Sequence, residues 1–341
     1  MAAGIAAGLL EGLFITGMVL FGLGFLWRGR ARGARGSWLA RLREDDTKHL
    51  FRAGGWAAFG FYWFALFPQY AFADDFLNAL GTAVALPIFL FLAWHEVLSY
   101  RWREEYEPLR FLCGAAFFAS LIYFVFDRIP PLSGAYIQVV AQHTIGMLGF
   151  LNERFTTGPI DFVGNTGWYR GNSGEISVSI LDPVAQGTVV QIVLACTAIQ
   201  AFAIAAALIF STRDPPKRKA LAVALIFPAT YVMNLVRNTV VIHYYYTRGE
   251  DFDLVHSWYG KGLSLIVTAV LLLLAFYLLP ELFVMLSGLY DLPWRKAPGW
   301  DYRSSVGSLF RKSHERMRAE DQRKPPGPSE SATPPVSPKR T

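Results

Sequence analysis

Along the chain, apolar residues fall in blocks of about twenty, not at the spacing of a helix with one wet face, and polar residues collect between the blocks. A block of that length matches a hydrocarbon core of ~30 Å at a rise of ~1.5 Å per helical residue. Seven such blocks are read, at 3–27, 53–73, 76–98, 109–127, 187–210, 219–246 and 254–280. The pattern predicts an all-α polytopic membrane protein of about seven transmembrane helices. The first block is read as a retained span and not a signal peptide, because its apolar run is long, no basic residues precede it and arginines follow at once.

The pattern changes between the fourth and fifth blocks. SGAYIQVVAQHTIGMLGFL (133–151) is rich in small residues and partly amphipathic, which predicts a helix lying at or dipping into the interface. IDFVGNTGWYRGNSGEISVSILDP (160–183) has short alternating runs split by NTG and GNSG, which predicts a β-hairpin. The chain therefore divides into a four-span region (1–127), an external cap (128–186), a three-span region (187–280) and a basic tail (281–341). In that tail DQRKPPGPSESATPPVSPKRT is too polar and proline-rich to bury a core and is expected to be disordered. Ahead of it, YRSSVGSLFRKSHERMR (302–318) reads equally as a basic helix on the inner leaflet or as a solvated stretch.

Charge adds orientation to this picture. The segments RGRARGARGSWLARLREDDTKHLFR, YRWREEYEP, STRDPPKRK and the C-terminal tail follow the odd-numbered blocks, so seven spans put all four on one side. Basic loops accumulate in the cytoplasm, which predicts the N-terminus outside and the C-terminus inside a plasma membrane. The net charge of +6 then describes anchoring at the inner membrane surface, and no nucleic-acid partner is expected. The two cysteines, Cys113 and Cys196, lie at different depths, which opposes a disulfide. HExxH, paired CxxC, a phosphate-binding loop and a dinucleotide fingerprint do not occur, so neither metal nor cofactor is expected.

Candidate chemistry sits where polar residues interrupt the last three spans. If the fifth span enters near Thr188, Cys196 lies roughly 12 Å in; Arg237 in the sixth lies about 13 Å from the same surface, Lys261 in the seventh about 10 Å and His256 about 3 Å. A charge at such depth costs at least about 2.5 kcal/mol on insertion, so two at one level call for a function. Asn234, Arg237 and Asn238 follow i, i+3, i+4 spacing and share a helix face, and Cys196 and Gln200 are read as i, i+4. Each has a plain reading alone: Cys196 as packing, Lys261 as a snorkelling lysine, His256 as an interfacial histidine. Together they supply a thiol nucleophile, a cation for developing negative charge and a base.

ACTAIQ in the fifth span, NLVRN in the sixth and HSWYGKG in the seventh resemble the signature elements of the exosortase/archaeosortase family, with wording nearest its archaeosortase branch. The resemblance is strong over 187–280 and general elsewhere. It implies a membrane-embedded cysteine peptidase or transpeptidase that cleaves C-terminal sorting signals of membrane-tethered surface proteins, of the Pro-Gly-Phe type. It also implies a membrane lipid as acyl acceptor and an active site in the outer leaflet. By the same resemblance Cys196 is the nucleophile and Arg237 its partner. The third catalytic residue stays open: His256 matches the bacterial histidine and suits proton transfer at neutral pH, whereas Lys261 lies nearer the depth of Cys196. Asn234, Asn238 and Gln200 are read as supporting. The alternative reading is a transporter or lipid-binding protein whose Arg237 and Lys261 hold an anionic solute.

Overall fold

The computed structural model describes residues 2–27, 46–72, 76–164, 167, 169, 174–185 and 187–301. Most of the first basic segment, the 302–318 stretch and the proline-rich tail lie outside the described residues. Helices α1 (Ala2–Leu26), α2 (Thr47–Ala65), α3 (Phe67–Phe72), α4 (Phe76–Trp102) and α5 (Glu107–Arg128) account for the first four blocks. Then come α6 (Pro130–Gly149), the strands β1 (Thr156–Asp161), β2 (Ser177–Leu181) and β3 (Thr188–Val193), and helices α7 (Ile199–Ser211), α8 (Pro216–Ile242), α9 (Lys261–Leu278) and α10 (Pro280–Tyr290). Among the described residues five helices are long and apolar enough to cross a membrane: Gly8–Leu26, Asn78–Trp102, Glu107–Arg128, Pro216–Thr247 and Phe252–Leu278. The second block is broken at Leu66 into α2 and α3, with Pro68 in the short second piece.

The fifth block departs from the expected span over 187–210. Its first part is not helical: TVVQIV forms β3, LAC forms a 3-10 turn, and only the alanine-rich remainder winds into the thirteen residues of α7. β-branched residues crowd a helix and fit a pleated surface, whereas alanine has the best helix propensity, so the composition switch falls where the element switch does. Consequently Cys196 and Gln200 do not share an α-helical face. They stand on either side of Ala198, which adopts the left-handed conformation at φ 63°.

The expected hairpin is present and gains a third strand. β2 pairs antiparallel with β1 (Asp161 opposite Ser177) and with β3 (Ser177 opposite Val193), giving the order β1-β2-β3. Asp182 closes the β2–β3 turn, its carboxylate accepting from the backbone N–H groups of Val184 and Ala185, and it also accepts from the Tyr246 hydroxyl at the top of α8. The sheet buries Val178, Ile180 and Ile192 against Ile137, Ala141 and Leu148 of α6 and Ile242 of α8.

At the opposite end of the bundle the described parts of the basic segments converge. Arg213 pairs with Glu107 at 2.6 Å, Arg295 donates to Ser99, and Tyr106 donates to the Gly288 carbonyl at 2.7 Å. Here the fully buried Arg52 bridges Glu105 at 2.5 Å and the Gly24 carbonyl at 2.9 Å, while buried His49 meets Glu96 at 2.8 Å. A close approach of α1 and α2 makes room for this network, since a Cβ on Gly24 would come within 2.5 Å of Arg52 Cγ and 3.0 Å of the Lys48 carbonyl. Burial alone would raise the Glu105 carboxyl, but Arg52, His49 and Lys48 bring it down to about 2.

Breaking this network should be costly where a surface pair is not. Glu105→Gln removes the shortest ion pair of the buried Arg52 and should lose about 2 kcal/mol, below the usual 3–5 because Glu105 is partly exposed and Arg52 keeps Gly24 and, at 3.9 Å, Glu96. Arg213→Ala, which removes an exposed guanidinium, should lose about 0.5 kcal/mol or less. Because the folded carboxyl titrates below its ordinary value of 4.5, the Glu105 contribution is complete above that pH and fades as pH falls towards 2. Thermal unfolding in lipid nanodiscs, repeated across that pH range, measures all three expectations.

Candidate active site

Cys196 ends the 3-10 turn between β3 and α7, and its conformation is held on three sides. The Thr197 hydroxyl and N–H both donate to the Leu194 carbonyl, at 2.6 and 3.1 Å. The Tyr136 hydroxyl, on α6, donates to the Thr197 carbonyl at 2.8 Å. The Cys196 carbonyl accepts from Asn234 Nδ2 at 2.9 Å and from Asn238 Nδ2 at 3.1 Å. Four residues apart on α8, the two asparagines grip one oxygen and use the backbone of the turn as their common acceptor.

Arg237 lies between them. Its Nη1 is 3.5 Å from the Asn238 Oδ1, and among the described residues no carboxylate pairs with it. Across from it, Gly260 allows close contact: a Cβ there would sit 3.4 Å from Arg237 Nε and 3.1 Å from Val241. α7, α8 and α9 enclose a largely apolar cavity of about 520 Å³ with Arg237, Asn234 and Gln200 among its lining. Cys196 itself is not part of that lining, but Ala195 and Ala198 on either side of it are.

His256 lies in a π-helical stretch, Val255–Gly260, that leads into α9, whose first residue is Lys261. The Lys261 N–H donates to the His256 carbonyl, five residues back. A π turn holds more residues than an α turn, so these two positions come closer to one face than five residues of α-helix would allow. His256 stacks on Phe252 at 5.3 Å and lies within electrostatic reach of Arg237 and Lys261. Lys261 is exposed, and among the described residues neither side chain hydrogen-bonds to Cys196, Arg237 or a carboxylate. A second π turn, His243–Thr247, ends α8. Such turns are frequent at functional sites.

Sequence reasoning missed three participants. Tyr136 lay in a stretch read only as an interfacial helix, and its contact with Thr197 spans 61 residues. Glu153 accepts from His243 at 2.5 Å and from Thr247 at 2.7 Å, tying the cap to α8. Ala198 gave no signal, because a left-handed turn ordinarily announces itself with glycine or asparagine. Among the described residues no three His, Cys, Asp or Glu side chains are placed to hold a metal ion.

Residues 12–276 match the family model described as Transmembrane exosortase (Exosortase_EpsH). The chain belongs to that family. Two curated proteins are similar to this exosortase-family chain: Archaeosortase A of Haloferax volcanii, 27% identical over 216 residues, and Archaeosortase A of Natronomonas pharaonis, 26% identical over 196. These alignments cover 60% and 55% of the chain and 65% and 56% of the relatives, so the chain spans less than two-thirds of either one's length. No solved structure matches. The matched family residues run from the first span into α9 and therefore take in the Cys196 turn, the Asn234–Asn238 clamp and the π stretch.

The strain at Ala198 gives a direct test of this geometry. Holding a residue with a side chain at φ 63° costs about 1 kcal/mol or more, so Ala198→Gly should leave the fold as stable or raise it by up to about 1 kcal/mol. Ala198→Val should lose about 2 kcal/mol, since β-branching aggravates the same clash. Unfolding midpoints measured in one lipid composition should stay level or rise for Ala198→Gly and fall for Ala198→Val.

Proposed function

We propose that this exosortase-family chain is a membrane-embedded cysteine peptidase and transpeptidase, acting on C-terminal sorting signals of membrane-tethered surface proteins, of the Pro-Gly-Phe type, and passing the cleaved chain to a membrane lipid. The observation that carries the reading is the Cys196 turn, gripped through its carbonyl by the two asparagines that flank Arg237. A nucleophile must be rigid to be oriented, and this thiol stands on a backbone fixed from α6, α8 and its own turn.

In this mechanism the Cys196 sulfur attacks the scissile carbonyl carbon as the thiol proton passes to a base. Negative charge moves from sulfur to the carbonyl oxygen, and in this reading the Arg237 guanidinium and the N–H groups of the first turn of α7 receive it. The C–N bond then breaks, the departing amine takes up the proton, and a thioester remains on Cys196. Attack by water or a lipid hydroxyl releases the acyl group and returns a proton to the sulfur. His256 is assigned as the base and Lys261 as a second cation near the developing charge. In the plasma membrane, with the N-terminus outside, the sheet cap and Cys196 face the outer leaflet and the convergent basic segments face the cytoplasm.

Cys196→Ala should abolish processing of a co-expressed sorting-signal substrate while protein level and membrane insertion stay near wild type, because a half-buried sulfur contributes little packing. Cys113→Ser, at a buried site far from the turn, should lower stability without abolishing processing. Equal behaviour of the two variants would remove the nucleophile, and full activity of Cys196→Ser would favour the transporter reading. His256→Ala should flatten the acidic limb of the pH–rate profile, whereas Lys261→Arg should retain activity and Lys261→Met lose it. A normal rate in His256→Ala would pass the third role to Lys261.

A further inference from the structure

The cavity beside the Cys196 turn has a shape that selects its occupant. α7 and α9 each pack against α8 but scarcely touch one another, leaving a furrow between them with α8 as its floor. The furrow follows α9 from Leu263 to Ala275, a length of roughly 18 Å at the helical rise. Ala205, Thr268 and Ala275 line it, and Leu282 of α10 closes its inner end. Exposed Ile204 and Leu272 stand at its edges, so the furrow opens sideways between helices. At the end nearest Cys196 the lining turns polar, with Arg237, Asn234 and Gln200.

We infer that this furrow binds one membrane lipid, with an apolar chain laid between α7 and α9 and an anionic headgroup against Arg237. Size and charge favour this occupant. A cavity of about 520 Å³ lies in the range that holds one small ligand, and its length of roughly 18 Å suits one extended acyl chain. Charge supplies the second argument: Arg237 sits at the polar end with no carboxylate partner among the described residues, which leaves its charge for a phosphate or similar anion. The lipid so placed carries its headgroup to the Cys196 turn, where the proposed reaction needs an acceptor. That consequence rests on the proposed function, whereas occupancy of the furrow does not.

Full-length protein in nanodiscs, doped with phosphatidylglycerol bearing a diazirine in one acyl chain, tests the inference by photolabelling and peptide mapping. Label should concentrate on Ala205, Thr268 and their neighbours in the furrow. Ala205→Phe fills the furrow and should cut that label about tenfold, while a phosphatidylcholine probe should label the furrow less in wild type and equally in Arg237→Gln. Cys196→Ala, tested in parallel for sorting-signal processing, should keep the label and lose the processing. Processing that survives in Cys196→Ala would overturn the proposed function and leave the lipid site standing. Label spread evenly over lipid-facing helices, unchanged in Ala205→Phe, would overturn the lipid site. So would loss of the label on adding inorganic phosphate alone, which would mark a free anion as the ligand, or preferential labelling of the furrow by a diazirine-bearing transmembrane peptide.

Discussion

The site depends on one carbonyl oxygen. Cys196 occupies a turn of three residues between a strand and a helix, and a short turn of that kind, next to a strained Ala198, does not hold its shape unaided. Asn234 and Asn238 supply the missing constraint by donating to the same oxygen from successive turns of α8. Because Arg237 stands between them, the bonds that fix the backbone of Cys196 come from the helix face that also carries the cation. A buried amide that lost this acceptor would carry a penalty of about 1–3 kcal/mol, which makes the arrangement self-consistent: each partner needs the other satisfied.

That constraint explains the architecture around it. The three-stranded sheet brings β3 down onto the end of α7, and α6 covers the sheet while sending Tyr136 to the Thr197 carbonyl. The cap is therefore more than a lid over the spans, since it supplies the strand from which the cysteine turn hangs. The π stretch before α9 and Gly260 let the seventh block approach Arg237 closely, bringing His256 and Lys261 to the same end of the bundle. Far from this end, the Arg52–Glu105 and His49–Glu96 pairs and the Arg52–Gly24 bond tie α1, α2, α4 and the α4–α5 loop together, a polar core separate from the site between α7, α8 and α9.

Much of this was legible in the pattern of residues. Long apolar blocks announce membrane helices because the bilayer sets their length, and the asparagines and arginine of α8 announce a shared face because helix periodicity is strict. The hairpin could be read from its turn residues. The strand inside the fifth block could not, because a short apolar run satisfies both a strand and a buried helix, and only its β-branched Val189, Val190, Ile192 and Val193 hinted at the difference. The depth of Cys196 was thus inferred along a helix that does not exist there, although its level still meets that of Asn234 and Asn238. Tyr136 and Glu153 were out of reach for another reason: their partners lie 61 and 90 residues away, and neither residue belongs to a local pattern.

If the clamped cysteine is the nucleophile, it should form a bond with the substrate that outlasts the encounter. The measurement that bears on this most directly is mass spectrometry of the full-length protein in nanodiscs, quenched in acid soon after mixing with a synthetic sorting-signal peptide. The account predicts a thioester adduct, sensitive to hydroxylamine, on the peptide that contains Cys196, and its absence in Cys196→Ala. Cleavage that proceeds with no adduct at Cys196, or an adduct on Cys113 instead, would contradict it.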